Sequence, residues 1–165
     1  KVPGTKPYEE PAYWRDVGTR DAYFNAHQDL LGEMPRFDMF NPQWRIFSSN
    51  YQGPVARLMD AKVYNSVIAA GSMVRQATIV NTIIRREVTI EDDVEIEDCL
   101  IQDYVHIKRG ARLRRAIIGG YNVIEAGTRI GYDIEQDRQL YQVTQGGITV
   151  VGPREVTSAM RAFSE

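Results

Sequence analysis

Few residues of this chain have types and spacing that could do chemistry. Asp16 offers one carboxylate beside a glycine turn and the start of a predicted helix, and by itself it could do no more than organise that turn. The chain has two histidines, His27 and His106. Because only His106 lies in the central repeat described below, a zinc site with three histidine ligands on that repeat is excluded.

A basic cluster offers the other chemical possibility. Its members are Lys108, Arg109, Arg112, Arg114 and Arg115. Such a cluster could bind an anionic effector, although it is more often a solvated face of the protein. The formal net charge of the chain is -2, so nothing favours nucleic acid or an anionic membrane as a bulk electrostatic partner.

The composition indicates a globular domain. The chain has 165 residues, of which 43% are hydrophobic and 25% charged, enough for one domain with a core. No apolar run approaches the length of a membrane span, and residues 1–10 lack the apolar centre of a signal peptide. The single cysteine, Cys99, excludes an internal disulfide and fits a reducing compartment, so we expect a cytoplasmic protein. We also expect the chain to be part of a longer protein or a processed product.

A repeat in the middle of the chain predicts the elements that position these residues. Residues 65–132 divide without gaps into four blocks of 17 residues, with large apolar residues recurring about every six positions. The three large columns are Val67/Ile84/Ile101/Ile118, Met73/Ile90/Ile107/Ile124 and Ile79/Ile96/Leu113/Ile130. The smaller residues two positions earlier are Asn65/Thr82/Cys99/Ala116, Gly71/Val88/Val105/Asn122 and Ala77/Val94/Ala111/Thr128.

This spacing predicts a parallel β-helix. Residues two apart lie on the same face of a strand, and three short strands per block make a coil of triangular section, which is the hexapeptide pattern. Ordinary hairpins would need turn residues such as Asn-Gly at every reversal, and the blocks lack them. We therefore predict a mainly β fold, a β-helix of four coils preceded by a short helix and an extended arm.

The outward residues between the inward pairs differ from column to column. Two outward columns, Ser72/Thr89/His106/Val123 and Thr78/Glu95/Arg112/Arg129, are polar or mixed. The third, Ser66/Ile83/Leu100/Ile117, is apolar. Stacked coils are about 4.8 Å apart, so this column forms a contiguous apolar patch that must be covered. The cover could be the N-terminal helix and arm, a domain outside this chain or a second subunit, and we expect one of the first two.

The flanking segments predict that helix and arm. Thr19 is a candidate N-cap for a helix over residues 20–31, with Asp21 in its first turn. Residues 33–54 combine prolines with aromatics and indicate an extended arm packed by its aromatic side chains. After the coils, the β-branched run 148–151 ends at a Gly-Pro pair, and residues 155–163 could form a short terminal helix.

The order of these motifs resembles bacterial ADP-glucose pyrophosphorylases (glucose-1-phosphate adenylyltransferases). The resemblance rests on YWRDVGT at 13–19, DAY..A..DLL at 21–31, the arm ending in Gly-Pro at 53–54, NSVIAAG at 65–71 with the coils after it, and GITVV at 147–151. It covers nearly the whole chain. Hexapeptide-repeat proteins of known structure are left-handed β-helices, so the resemblance also implies a left-handed coil.

The resemblance implies a role for Asp16. In this family ATP and glucose 1-phosphate give ADP-glucose and pyrophosphate, with Mg²⁺ held by two aspartates. Asp16 matches the second of these, which binds the metal and helps to place the sugar phosphate; hard cations prefer such oxygen ligands. The family's nucleotide-binding domain with its Gly-rich loop has no match here. We therefore expect this chain alone to be inactive.

The resemblance also implies regulation by sugar-phosphate or nucleotide effectors. Arg154 matches the position at which several members hold a sugar-phosphate activator, and the planar guanidinium suits phosphate. A solvated arginine in the tail is an equally good interpretation. Where some members place an acidic and a basic residue for a nucleotide inhibitor, this chain has Tyr104 and Gly120, which argues against inhibition of the AMP type. The family forms tetramers, so a homo-oligomer is expected.

Other functions fit parts of the pattern. Mannose-1-phosphate guanylyltransferase shares the motif at 13–19, and a hexapeptide-repeat acyltransferase would use a cleft histidine such as His106. A γ-type carbonic anhydrase would need three histidine ligands. A non-catalytic regulatory paralogue of the pyrophosphorylase would not need to keep Asp16 and Gly18.

The expected domain organisation has three parts. Residues 1–31 are the C-terminal remnant of the catalytic nucleotidyltransferase domain, residues 32–54 are a linking arm, and residues 55–165 are the left-handed β-helix domain with its C-terminal tail.

Overall fold

A computed structural model describes residues 13–43, 46 and 51–155 of the chain. These residues form, in chain order, α1 (Arg20–Gln28), β1 (Arg57–Met59), β2 (Lys62–Tyr64), β3 (Val67–Ile68), β4 (Met73–Arg75), β5 (Thr78–Val80), β6 (Ile83–Ile84), β7 (Thr89–Ile90), β8 (Glu95–Ile101), β9 (His106–Ile107), β10 (Arg112–Ile118), β11 (Val123–Ile124), β12 (Arg129–Ile130), α2 (Ile134–Leu140), β13 (Gln142–Val143) and β14 (Thr149–Val151).

The strands stack as a parallel β-helix, as the repeat predicts. One sheet runs in the order β1-β4-β7-β9-β11, and its outer side is called the open face below. The covered face is formed by β3, β6, the C-terminal halves of β8 and β10, and β14. The third face is formed by β2, β5, the N-terminal halves of β8 and β10, and β12. Strands β8 and β10 run across the corner between these last two faces. The strands of the two faces therefore belong to one continuous sheet.

The inward columns form the core. Large residues from all three faces, among them Ile84, Ile90 and Ile96, are completely or almost completely buried in one cluster. Strand β14 adds a further layer beyond the four predicted coils, because Ala116, Ile117 and Ile118 of β10 pair in parallel with Thr149, Val150 and Val151.

The first predicted block is out of register by one residue over much of its length. Ile68 and Val74 align with Ile84 and Ile90, sixteen positions later, whereas Ile79 aligns with Ile96, seventeen positions later. One residue is therefore missing between Val74 and Ile79 relative to the following coils. A gapless alignment cannot show this deletion.

Because of this deletion the first member of six predicted columns is wrong, since a slip of one residue turns every side chain to the opposite face. Val74 is fully buried and Met73 is 42% exposed, the reverse of the prediction. Ser66 and Ser72 take the small inward positions given to Asn65 and Gly71, and Ile68 takes the place of Val67. The outward apolar column is accordingly Val67/Ile83/Leu100/Ile117, and the open-face column is Met73/Thr89/His106/Val123.

The corners of the coils require left-handed backbone, and glycine supplies only part of it. One corner column with positive φ is Asn65, Asn81, Asp98 and Arg115, and another is Gly71, Glu87, Tyr104 and Tyr121. Glycine adopts this region without cost, and Asn and Asp do so more readily than other residues. Predicting corners from glycine alone therefore misses most of them.

Helix α1 and the segment after it cover the apolar outward column. Phe24 is buried in one cluster with Ile83, Leu100, Ile117 and Ile148, and Tyr23, Leu30, Leu31, Val67 and Val150 pack against it. This confirms that the cover lies within the chain. Thr19 caps the helix as predicted, accepting a hydrogen bond from the backbone N–H of Ala22 at 3.1 Å. The helix ends at Gln28, three residues before the predicted end.

One helix is not predicted, and one expectation needs correction. The polar stretch after Tyr132 contains α2, which Asp133 caps by accepting from the backbone N–H groups of Glu135 and Gln136. In the arm, Tyr13 contacts Phe37 with ring centroids 5.4 Å apart, but Phe40 is 77% exposed and Ile46 is half exposed. Trp44, Phe47 and the predicted terminal helix lie outside the described residues, apart from residue 155. No described helix is long and apolar enough to cross a membrane.

Candidate functional site

The segment that carries Asp16 is a turn leading into α1. The backbone N–H of Gly18 donates to Asp16 Oδ1 at 2.9 Å, so the turn-organising interpretation is correct for one carboxylate oxygen. A Cβ atom at position 18 would lie 3.2 Å from that oxygen, so a side chain there would crowd the turn. Asp16 is solvent-exposed, and within the described residues no second donor contacts its carboxylate.

A partly buried carboxylate, Asp29 at the end of α1, holds this turn in place. Asp29 Oδ2 accepts from Arg15 Nε at 2.8 Å and from the hydroxyl of Tyr13 at 3.1 Å. Burial raises the pKa of Asp29, but the hydrogen bonds from Arg15 and Tyr13 outweigh it and hold the pKa below its usual range. Tyr13 and Arg15, the residues on either side of Trp14, are thus fixed to the end of the helix, Arg15 by a charge-assisted pair.

Helix α1 is in turn fixed to the β-helix at both of its ends. At its N-terminus, Asp21 accepts from the Thr144 hydroxyl at 2.5 Å and from the backbone N–H of Gly146 at 3.3 Å. Near its C-terminus, Gln28 Nε2 donates to the carbonyl of Asn81 at 3.3 Å. Since the apolar side of the helix is buried on the covered face, Asp16 and the β-helix belong to one packed unit.

Arg154 follows β14 in a tail that lies against the last coils. Its backbone N–H donates to the carbonyl of Gly120 at 3.0 Å, and its side chain is exposed to solvent. The side-chain amide of Asn122 donates to the carbonyls of Gly119 at 2.8 Å and Gly152 at 2.7 Å. A Cβ at position 119 would come within 2.4 Å of the backbone nitrogen of Pro153, so glycine is required for the tail to approach.

The corner below Arg154 carries aromatic and acidic side chains. Tyr104 and Tyr121 stack with ring centroids 4.9 Å apart. One coil further, the hydroxyl of Tyr51 donates to Glu87 Oε1 at 2.5 Å, and this hydrogen bond raises the pKa of Tyr51 to about 12. Tyr104 and Gly120, the two positions compared with a nucleotide-inhibitor site, are adjacent along this corner.

The basic cluster is balanced by carboxylates on neighbouring coils. Arg112 pairs with Glu95, and Arg109 pairs with Asp92 at 2.8 Å. Lys108 pairs with Glu125, and Arg114 pairs with Glu97. The guanidinium of Arg115 donates a hydrogen bond to the carbonyl of Gly146. The cluster is thus a solvated, compensated surface rather than a concentration of unpaired positive charge.

The two histidines lie in different elements and have different partners. His106 Nε2 is 2.8 Å from Glu91 Oε1 on the open face, and His27 Nδ1 is 2.8 Å from the carbonyl of Tyr23 within α1. Among the described residues no group of three or more His, Cys, Asp or Glu side chains could hold a metal ion. Asp16 can therefore supply a single oxygen ligand, and these residues alone do not make a magnesium site.

Sequence reasoning missed the residues that fix the two candidate positions. Asp29 anchors the Asp16 turn and Asp21 anchors the start of α1. Asn122 anchors the tail, although it was assigned only as a small inward residue. The signal for Asp29 was weak, because its partner Arg15 lies fourteen residues earlier with a helix between them. Asp137 was also missed. It is the buried residue of α2, and its carboxylate accepts from the backbone N–H of Gly131 at 2.7 Å and from the hydroxyl of Thr149 at 2.8 Å.

Comparison with known proteins identifies relatives that match nearly the whole chain, including both α1 and the β-helix. Residues 55–151 match the family described as GlmU-like, C-terminal hexapeptide. The glucose-1-phosphate adenylyltransferase of Thermodesulfovibrio yellowstonii is 45% identical over 151 residues, which is 92% of this chain and 37% of that protein. The enzymes of the same name from Koribacter versatilis and Corynebacterium jeikeium are 38% and 34% identical over 87% and 94% of this chain. The chain spans 36% and 38% of those two proteins, so it corresponds to little more than a third of its relatives.

Proposed function

Because the chain belongs to the GlmU-like C-terminal hexapeptide family, we propose that it is the C-terminal, regulatory and oligomerisation part of a glucose-1-phosphate adenylyltransferase. The reaction of the complete enzyme joins ATP and glucose 1-phosphate to give ADP-glucose and pyrophosphate. The nucleotide-binding machinery would lie in a domain outside this chain. A cytoplasmic location is part of the proposal. The single cysteine, Cys99, is buried, and burial raises its pKa to about 12, so this thiol is inert.

The observation that carries the proposal is the docking of α1 on the β-helix. Asp29 fixes the turn that holds Asp16 to α1. The same helix covers Leu100, and Asp21 fixes its start to the loop before β14. A displacement of the coils would therefore be transmitted to Asp16 through packed side chains and charged hydrogen bonds, rather than through a free linker. A β-helix connected in this way can both support a catalytic domain and regulate it.

Asp16 is assigned as one ligand of the catalytic Mg²⁺. Its exposed carboxylate has one oxygen held by Gly18 and the other directed to no described donor, which fits a single oxygen ligand. The described residues do not complete the site, so the remaining ligands and the phosphate groups would come from outside this chain. Magnesium would supply charge neutralisation at the phosphates, and Asp16 would orient it relative to α1.

The assignment is tested by Asp16→Asn in the complete enzyme, with Asp38→Asn as the matched control. Asp38 Oδ1 accepts from the backbone N–H of Phe40 at 2.8 Å in the same kind of turn, and asparagine preserves that acceptor in both variants. Asp16→Asn should lower the rate of ADP-glucose formation by about a hundredfold or more, whereas Asp38→Asn should leave it unchanged. Equal rates in the two variants would contradict the role of Asp16. Formation of ADP-glucose by this chain alone would contradict the assignment of the machinery to another domain.

Arg154 is assigned to a phosphate-bearing effector. Its guanidinium is exposed at the end of a tail that Asn122 and Gly120 hold against the coils. Arg138, which is also exposed but is paired with Glu135 at 2.7 Å, is the control. In the complete enzyme Arg154→Ala should abolish the response to sugar phosphates without changing the unstimulated rate. An unchanged response in Arg154→Ala, or an equal loss in Arg138→Ala, would remove this role.

A further inference from the structure

The Asp29 carboxylate is the point at which three segments of the chain meet. From the segment that carries Asp16, Arg15 Nε donates to Asp29 Oδ2 at 2.8 Å, and the Tyr13 hydroxyl donates to the same oxygen at 3.1 Å. From the arm, the backbone N–H of Arg36 donates to the carbonyl of Asp29 at 3.0 Å, and the Nε atom of Arg36 lies 3.8 Å from Oδ1. Asp29 itself is the C-cap residue of α1. One residue therefore joins the turn, the helix and the arm.

The contact between Asp29 and Arg15 fixes an orientation as well as a distance. Both Nε and Nη2 of the Arg15 guanidinium donate to Asp29 Oδ2. The Asp29 side chain is 11% exposed and the Arg15 side chain is 33% exposed, so water competes little for the acceptor. A charge-assisted pair with a planar donor group constrains the geometry more than a single hydrogen bond does. The backbone at position 15 is therefore held relative to the end of α1.

The Asp16 carboxylate has few constraints of its own. It is exposed, and its contact among the described residues is the hydrogen bond from the backbone N–H of Gly18. Its place is set instead by the backbone on its two sides. On the C-terminal side Thr19 caps α1, and on the N-terminal side the adjacent Arg15 is held by Asp29. Release of Arg15 would leave the carboxylate fixed on one side only.

We propose that Asp29 is a positioning residue for the reaction of the complete enzyme, because through Arg15 it holds the Asp16 carboxylate where that carboxylate binds Mg²⁺. The inference rests on the role proposed for Asp16, and it gives a function to a residue outside the motif at 13–19. In this role Asp29 contacts neither the metal nor a substrate. It keeps one ligand in place beforehand, so that binding of the metal does not have to order the turn.

Loss of this pair should change the metal requirement of the complete enzyme. Removing a group that orients a metal ligand typically changes metal affinity or activity by about ten- to a hundredfold. Asp29→Asn keeps an acceptor oxygen at the same place but loses the charge that pairs with Arg15. The concentration of free Mg²⁺ that gives half the maximal rate should therefore rise about tenfold or more. Saturating Mg²⁺ should restore most of the rate, because the Asp16 carboxylate is still present.

Asp92 provides the matched control. Its side chain is 17% exposed and pairs with Arg75 and, at 2.8 Å, with Arg109, so it is also a partly buried carboxylate that holds two arginines. It follows β7 on the open face, whereas α1 lies on the covered face. Asp92→Asn should therefore remove comparable ion pairs and leave the Mg²⁺ requirement unchanged.

The order of the turn in this chain gives a readout that does not depend on activity. Relaxation of ¹⁵N nuclei in the wild type should give backbone order parameters for residues 15–18 close to the ~0.85 of a rigid backbone. In Asp29→Asn these values should fall toward the range below about 0.6 that marks a flexible segment. Residues 21–28 should stay rigid, because Phe24 remains buried on the covered face. Asp92→Asn should change neither range.

Two further variants extend the test if Asp29→Asn does not fold. Arg15→Lys retains a positive charge but loses the planar donor group, and Tyr13→Phe removes one hydroxyl. Both should raise the Mg²⁺ requirement, Tyr13→Phe less than Arg15→Lys. In the double variant R15K/D29N the rise should be no larger than in the more severe single variant, because both changes remove the same contact.

The outcomes separate this inference from the role of Asp16. An unchanged Mg²⁺ requirement in Asp29→Asn, together with a reduced rate in Asp16→Asn, would overturn the inference and leave the role of Asp16 intact. Equal changes in Asp29→Asn and Asp92→Asn, or order parameters of residues 15–18 that Asp29→Asn does not alter, would also overturn it. A rate that Asp16→Asn does not affect would overturn the proposed role of Asp16 and this inference with it.

Discussion

The covered face and the open face have the same inward pattern and opposite outward ones. On the covered face the outward column is aliphatic, and α1 buries Leu100 completely. On the open face the equivalent positions include Thr89 and His106, and Met73 and Val123 stay exposed. The inward columns therefore determine that the chain forms a β-helix, and the outward columns determine what each face contacts.

The largest expected difference between the faces comes from truncating their apolar side chains. Leu100→Ala should lower the free energy of unfolding by about 3 kcal/mol, because it leaves a cavity beneath α1. Val123→Ala on the open face should lower it by less than about 1 kcal/mol. Urea denaturation followed by circular dichroism measures both. Equal losses would mean that α1 does not bury the covered face.

The next effect concerns the polar link between α1 and the loop before β14. Asp21→Ala removes the acceptor for Thr144 and Gly146 and should cost about 1 to 2 kcal/mol. Asp21→Asn retains an acceptor oxygen at the same place and should cost less. The same denaturation experiment checks the order of the two variants, and a loss in Asp21→Asn equal to that in Asp21→Ala would show that the link contributes through charge alone.

The pH dependence of stability should report the pair at the other end of α1. The pKa of Asp29 is lowered in the folded chain, so the unfolded chain binds the proton more readily. The carboxylate stabilises the fold above its unfolded pKa of about 3.9, and this stabilisation is lost as the pH falls through the lower folded pKa. The difference in melting temperature between wild type and Asp29→Asn should therefore be largest near neutral pH and should shrink in acid. A difference that does not change with pH would contradict the pairing with Arg15.

The smallest effect is expected for the ion pairs of the third face. Arg112 and Glu95 lie in contact across adjacent coils with exposed side chains. Arg112→Ala should change the free energy of unfolding by no more than about 0.5 kcal/mol, and less at high salt. Thermal melts at low and high salt measure it. A loss as large as that of Leu100→Ala would show that an uncovered face contributes as much as the covered one.

The regular part of the fold could be predicted from the sequence, because three coils repeat every seventeen residues with strong apolar columns. The deletion between Val74 and Ile79 could not, since Val67-Ile68 and Met73-Val74 each offer two adjacent apolar residues and either register satisfies the pattern. Helix α2 was missed because its sequence has little apolar content. Its stability depends on the Asp133 cap and on the burial of Asp137, which follow from tertiary contacts.

The candidate site was predicted in part. Asp16 and Arg154 came from motifs, and Gly18 from its place in the turn. Their anchors, Asp29, Asp21 and Asn122, form contacts between residues distant in sequence or across a chain reversal, and one sequence carries no signal for such pairs.

The attachment of α1 to the β-helix is tested most directly by hydrogen exchange of its backbone amides. A helix of nine residues is too short to be stable alone, so protection of the amides from residue 23 to residue 28 measures docking. We expect protection in the wild type to approach that of the strands on the covered face. In Leu100→Ala we expect protection to be lost selectively over α1, while the amide of Ile107 stays protected. Amides of α1 that exchange in the wild type as fast as those of an unstructured peptide would contradict this expectation.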